Sequence, residues 1–168
     1  MRRASRRFGQ AHGAEPVPSS THQWLLVWAA RQMVKDGFIV SGFDGCAPRG
    51  EEWSSLPTPF TFRGVRADVW GQREQDPMIA FGEAKTFHDI DTPHTRRQLE
   101  VLGKTKMKGE KVCCPLYIAV PHSAVYELDH VLIDVGLLRA KNLVRLHIPD
   151  VFVEKTSYGA RQSYRTSA

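Results

Sequence analysis

The chain has 168 residues, of which 42% are apolar and 24% charged, and a formal net charge of +5. That describes one soluble domain with room for a sizeable core, and an excess of positive charge that favours an anionic partner, nucleic acid first. The longest apolar run, residues 24–30, is far too short to span a bilayer. No apolar segment follows the N-terminal arginines as in a secretory leader. The expectation is therefore a cytoplasmic or nucleoid-associated protein, neither secreted nor membrane-bound. Three cysteines, without Cys-x-x-Cys or His-x-x-x-His spacing, argue for reduced thiols rather than a zinc site.

In chain order, residues 1–18 lack hydrophobic periodicity, carry Arg2, Arg3, Arg6 and Arg7, and include Pro16 and Pro18. They read as a flexible basic arm, ahead of a domain over 19–150 and a basic tail over 151–168. Ser19, Ser20 or Thr21 can cap a helix over 22–35 that Gly37 ends. Its broad apolar surface, from Trp24 to Val34, suits packing on a sheet. A strand over 38–43 follows. Residues 44–59 read as a long loop exposing Glu51, Glu52 and Trp53, either a substrate-facing lid or an insertion.

Residues 65–71 and 78–85 are β-prone segments joined by a polar connection containing Asp76-Pro77, the pattern of an antiparallel hairpin that 60–63 extends. Residues two apart in a strand share a face, so Glu83 and Lys85 project together while Ala84 points away. Centring the hairpin on its connection sets Asp68 opposite Phe81, one step along the same face from Glu83. Two carboxylates there suit a hard divalent cation. A lysine beside them can orient water or stabilise negative charge on phosphorus. Glu83 also sits in the apolar run 78–84, and a buried carboxylate needs a partner or a metal.

The 86–91 loop carries His88, Asp89 and Asp91, which read either as turn formers or as groups close to the site. Thr92 and Pro93 mark the N-cap and first position of a helix over 94–106. Thr95, Gln98, Leu99 and Leu102 share one stripe, so Gln98 either faces the sheet or lies at the edge of the stripe. Residues 115–120 suit a strand buried on both faces. Ser123 can cap a further helix, and Leu143–Ile148 is a final strand. A second basic group, Arg96, Arg97, Lys104, Lys106, Lys108 and Lys111, follows the hairpin directly and is opposed only by Glu100 and Glu110. With Arg66 it lies where a phosphate backbone would run.

An acid on one strand, an acid-x-Lys on the next and a Gln on the following helix resemble the PD-(D/E)XK nuclease superfamily. Arg66-Ala67-Asp68 matches the first element, Glu83-Ala84-Lys85 the second and Gln98 the third; Glu83–Lys85 is the only acid-x-Lys in the chain. Two departures are visible. The first element lacks Pro, and the first helix lacks the Glu often found there, offering only His22 and Gln23 near its start. The resemblance covers about residues 20–149 and implies an α/β fold with a restriction-endonuclease-like αβββαβ core, a mixed sheet flanked by helices, plus one helix and one strand. It implies that Asp68 and Glu83 hold Mg2+, with Mn2+ able to substitute and the Ala84 carbonyl as a further ligand. It gives Asp68, Glu83, Lys85 and Gln98 catalytic roles, and leaves DNA contact to Arg66, Arg96, Arg97, Lys104, Lys106 and Lys108. No small-molecule cofactor is expected. Small members of the superfamily include restriction, repair and Holliday-junction-resolving endonucleases. The short chain suits a structure-selective resolvase, which implies a homodimer. The rival reading is a DNA-binding or assembly subunit that keeps the fold without activity.

Overall fold

The structure, a computed structural model, describes residues 20–153 apart from 49 and 77. The expected basic arm, and the C-terminal tail beyond residue 153, lie outside the described residues. Helix α1, Ser20–Lys35, stops where Gly37 adopts a φ of +87°, a conformation open to glycine. Strand β1, Ile39–Phe43, comes next. The 44–59 segment contains a short 3-10 turn, Glu52–Ser55, and is less exposed than expected: Trp53 packs on Phe43 at 5.7 Å between ring centroids. Residues 60–63 do not extend the main hairpin. Thr61–Phe62 (β2) and Val65–Arg66 (β3) pair with each other as a separate two-stranded ribbon.

The main sheet has five strands in the order β1-β4-β5-β6-β7, with β4 at Val69–Gln72, β5 at Ile79–Ala84, β6 at Leu116–Pro121 and β7 at Leu143–Ile148. The first three run antiparallel; β5, β6 and β7 run parallel. Helix α2, Pro93–Gly103, connects β5 to β6, and α3, Val125–Asp134, connects β6 to β7. The result is a mixed α/β fold whose central sheet is flanked by helices. Among the described residues no helix is long and apolar enough to cross a membrane.

Alternation along the buried strands sorts two cores. Ala80, Ala84, Tyr117 and Ala119 join α1, whereas Phe81, Leu116, Ile118 and Val120 join residues of α2 and α3. Glu83 and Lys85 share the side of Phe81, and so face α2. A Cβ at Gly82 would meet Val69 Cγ1 at 2.5 Å and Met33 Sδ at 3.3 Å, so the missing side chain lets α1 lie close against β5.

Three further expectations are corrected. The hairpin register pairs Trp70, not Asp68, with Phe81; continued from the Val69–Gly82 pair, it sets Asp68 against Glu83. The reason is the turn, which closes between Arg73 and Met78 through Arg73 N–H to Met78 O and two hydrogen bonds from the Arg73 guanidinium to Asp76. Helix α2 ends at Gly103 rather than 106, because Asn142 Nδ2 donates to the Gly103 carbonyl and Lys106 turns away to bridge Cys113. Ser123 does not cap α3: it lies in a 3-10 turn, His122–Ala124, with its hydroxyl on Asp150 Oδ1 at 2.7 Å.

Candidate active site

Ala67 and Asp68 lie between the end of β3 and the start of β4. The Asp68 backbone stays tied, with Asp68 N–H on Gly82 O and Asp44 N–H on Asp68 O. Asp68 Oδ2 accepts the Ala84 N–H at 2.8 Å and stands 3.4 Å from His22 Nε2 on α1. Lys85 directly follows β5, and its Nζ reaches Glu83 Oε2 at 2.7 Å, Gln98 Oε1 at 2.9 Å and Asp68 Oδ2 at 4.0 Å. Gln98 Nε2 donates to the Arg66 carbonyl at 2.8 Å and stands 3.4 Å from Glu83 Oε1. The N-cap holds this helix in place: Thr92 Oγ1 accepts the Thr95 N–H at 3.1 Å.

Asp68, Glu83, Lys85 and Gln98 therefore meet, joined from three parts of the chain. Glu83 is wholly buried, and Lys85 and Gln98 nearly so. Burial and the charge of Asp68 push the Glu83 carboxyl up to about 8, despite the opposing pull of Lys85. Asp68 is also pushed up by burial, but Lys85, His22 and the Ala84 N–H together hold it below the usual carboxylate range. Lys85 loses by burial and gains more from Glu83 and Asp68, so it stays firmly protonated.

A cleft of about 310 Å³ opens in front of these groups, lined by Asp44, Thr61, Arg66, Asp68, Lys85, His94 and Gln98 among others. Glu83 sits behind Lys85 rather than on the wall. The donor set, two carboxylates beside a strand backbone, suits a hard divalent cation. Glu83 Oε2 is buried without a hydrogen bond of proper geometry, although Lys85 Nζ stands 2.7 Å away. Among the described residues no three His, Cys, Asp or Glu side chains already stand as a metal-binding group. Metal entry at this pair would require Lys85 to release Glu83.

The expected nucleic-acid residues divide. Arg66 lines the cleft and pairs with Asp44 at 2.8 Å. Arg97 Nη2 donates to the Arg63 carbonyl on the β2–β3 turn. Arg96 points elsewhere, clamped between Asp91 and Asp134 at 2.7 and 2.6 Å, and ties α2 to α3. Lys104 pairs with Glu100 on the exposed face of α2, and Lys106 and Lys108 are exposed beyond its end. Glu51, on the 44–59 loop, pairs with Arg31 of α1 at 3.1 Å. Asp44, His94 and the His22 contact were not singled out as site groups by sequence patterning. Only His22's place in the first turn of α1 hinted at its role. Comparison of the chain with family models, curated proteins and solved structures returns no match.

Proposed function

We propose that this chain is a metal-dependent nuclease with a restriction-endonuclease-like core that hydrolyses phosphodiester bonds in DNA, in the manner of a resolvase or repair endonuclease. The observation that carries the reading is the buried convergence of Asp68, Glu83, Lys85 and Gln98 at the base of a cleft whose rim holds Arg66. Burying two acids and a lysine is costly for stability alone, and strongly displaced ionisation in a cleft marks chemistry. The element order α1, β1, β4, β5, α2, β6 supports the αβββαβ core.

Asp68 and Glu83 would hold Mg2+ or Mn2+, with the Ala84 carbonyl as the further ligand the resemblance implies. Such an ion, when bound, would supply Lewis acidity at the phosphoryl oxygens and make water more acidic. Lys85 Nζ, held by Gln98 Oε1, donates to the attacking water and offsets charge gathering on the phosphorus oxygens. Gln98 fixes that ammonium while anchoring itself on the Arg66 carbonyl. Arg66 faces the strand that enters the cleft. A homodimer would present two such sites to a branched DNA.

The test is incubation of labelled single-stranded, duplex, flap and four-way-junction DNAs with Mg2+, Mn2+ or EDTA, with Glu83→Ala in parallel. Metal-dependent cutting that Glu83→Ala abolishes is the expected result. Binding without cutting in any metal would instead favour the inactive-subunit reading, whose support is the lack of a Glu in the first helix and the closed Lys85–Glu83 contact.

His22 gives a subsidiary prediction. It touches Asp68 Oδ2 from α1, so His22→Ala is expected to lower cleavage by about 10- to 100-fold, the usual effect of removing a group that orients a ligand. His22→Gln, which can still donate to Asp68, should recover part of the loss. Unchanged single-turnover rates in both variants would remove His22 from the site.

A further inference from the structure

A second cavity, of about 480 Å³, lies beyond Lys85 at the C-terminal ends of β5 and β6, lined by Thr21, Thr86, Phe87, His88, Ser123 and Asp150 among others. Two of its lining residues are chain neighbours of site residues: Thr86 follows Lys85, and Thr21 precedes His22, which touches Asp68. Its lining combines an aromatic platform with fixed acceptors. Phe87 is 48% exposed and meets His88 edge-on, with 5.7 Å between ring centroids and 88° between planes. Thr86 Oγ1 donates to Asp89 Oδ2 at 2.5 Å, and Ser123 donates to Asp150 Oδ1 through Oγ at 2.7 Å and N–H at 3.3 Å. Each carboxylate keeps a second oxygen able to accept.

A ligand for this cavity must be flat enough to stack on Phe87, free of negative charge beside two carboxylates, and equipped with N–H donors on its edge. A nucleobase with an exocyclic amino group meets all three conditions. A phosphate does not, since Asp89 and Asp150 repel it. We propose that this cavity receives an unpaired, amino-bearing nucleobase of the DNA strand whose phosphodiester lies in the neighbouring cleft. The inference rests on the nuclease reading for the position of that strand. It assigns the substrate as DNA carrying an unpaired nucleotide, at a junction, flap or bulge, and ranks cytosine and adenine above thymine. In a fully paired duplex the bases are stacked and cannot reach Phe87.

The test uses the full chain with Ca2+ in place of Mg2+, and two duplexes: one fully paired, one with a single bulged 2-aminopurine. The bulged duplex should bind more tightly and its fluorescence should be quenched by stacking. Phe87→Ala should weaken it by about 5- to 150-fold, the equivalent of ~1–3 kcal/mol of base–aromatic stacking, and leave the paired duplex unaffected, while Phe87→Trp retains affinity. Phe87 is exposed, so neither variant threatens the core. Equal binding of the two duplexes, an equal loss on both in Phe87→Ala, or binding of neither would overturn the proposal. A quench that depends on Phe87, found in a protein that cuts no DNA with Mg2+ or Mn2+, would uphold the base pocket and remove the nuclease reading.

Discussion

Lys85→Met is expected to abolish metal-dependent DNA cleavage, with a loss of at least about 10²- to 10³-fold in single-turnover rate, the scale set by removing one positioned stabiliser of transition-state charge. The reason lies in the site's charge balance. Lys85 Nζ is the ammonium that stands between Glu83 and Asp68, at 2.7 and 4.0 Å. Met keeps the stem and its packing but removes the donor and the charge. Glu83 then loses the one group that lowers its pKa, and its carboxyl should be harder still to ionise at neutral pH. Once ionised, however, the two acids have no resident cation competing for them. Mn2+ binding should therefore persist or tighten at alkaline pH, while DNA binding, governed by the exposed basic residues, changes little. Calorimetric Mn2+ titration beside cleavage assays separates these effects. A variant that cuts at the wild-type rate would remove Lys85 from the chemistry. One that loses Mn2+ and DNA binding together would mean Lys85 was holding the fold.

The residues of this site were legible in the sequence because local rules govern them. The 78–84 apolar run leaves Glu83 nowhere to go but inside, and the Thr92–Pro93 cap sets the phase of α2, which turns Gln98 onto the sheet with Leu99 and Leu102. What long-range contacts decide was not legible. The hairpin register depends on Arg73 closing the turn onto Asp76 and Met78, two residues away from the symmetrical guess. That shift keeps every side chain on its expected face, because strand periodicity is two, yet it brings Asp68 directly against Glu83. The end of α2 depends on Asn142, 39 positions away. Arg96 reads as one of a basic group until Asp134, 38 positions away, is seen to neutralise it. Of the remaining arginines, Arg66 lies on the cleft wall and Arg97 reaches the β2–β3 turn.

Glu83→Gln should produce effects of opposite sign on activity and on metal-free stability. In the folded protein the Glu83 carboxyl sits at about 8 against an ordinary value of 4.5, so the folded chain binds the proton more tightly than the unfolded one. Below the ordinary value both states are protonated and the group's contribution to stability is fully present. Between there and about 8 the unfolded chain ionises while the folded one resists, so stability falls as pH rises; above that it levels off. Each unit of pKa difference between the two states is worth about 1.4 kcal/mol, enough to read in a denaturation midpoint. Gln cannot ionise, and it leaves Lys85 as it stands beside a protonated Glu83, with Gln98 and Asp68 for partners. The variant should match the wild type near pH 5 and exceed it near pH 9 in EDTA. Mg2+ should narrow that gap by stabilising the wild type alone, because a divalent ion takes the proton's place on Glu83. Cleavage, meanwhile, should be lost in the variant at every pH. Parallel midpoints for the two proteins from pH 5 to 9, with no separate effect of Mg2+, would mean that Glu83 ionises without cost and that the pair does not hold a metal.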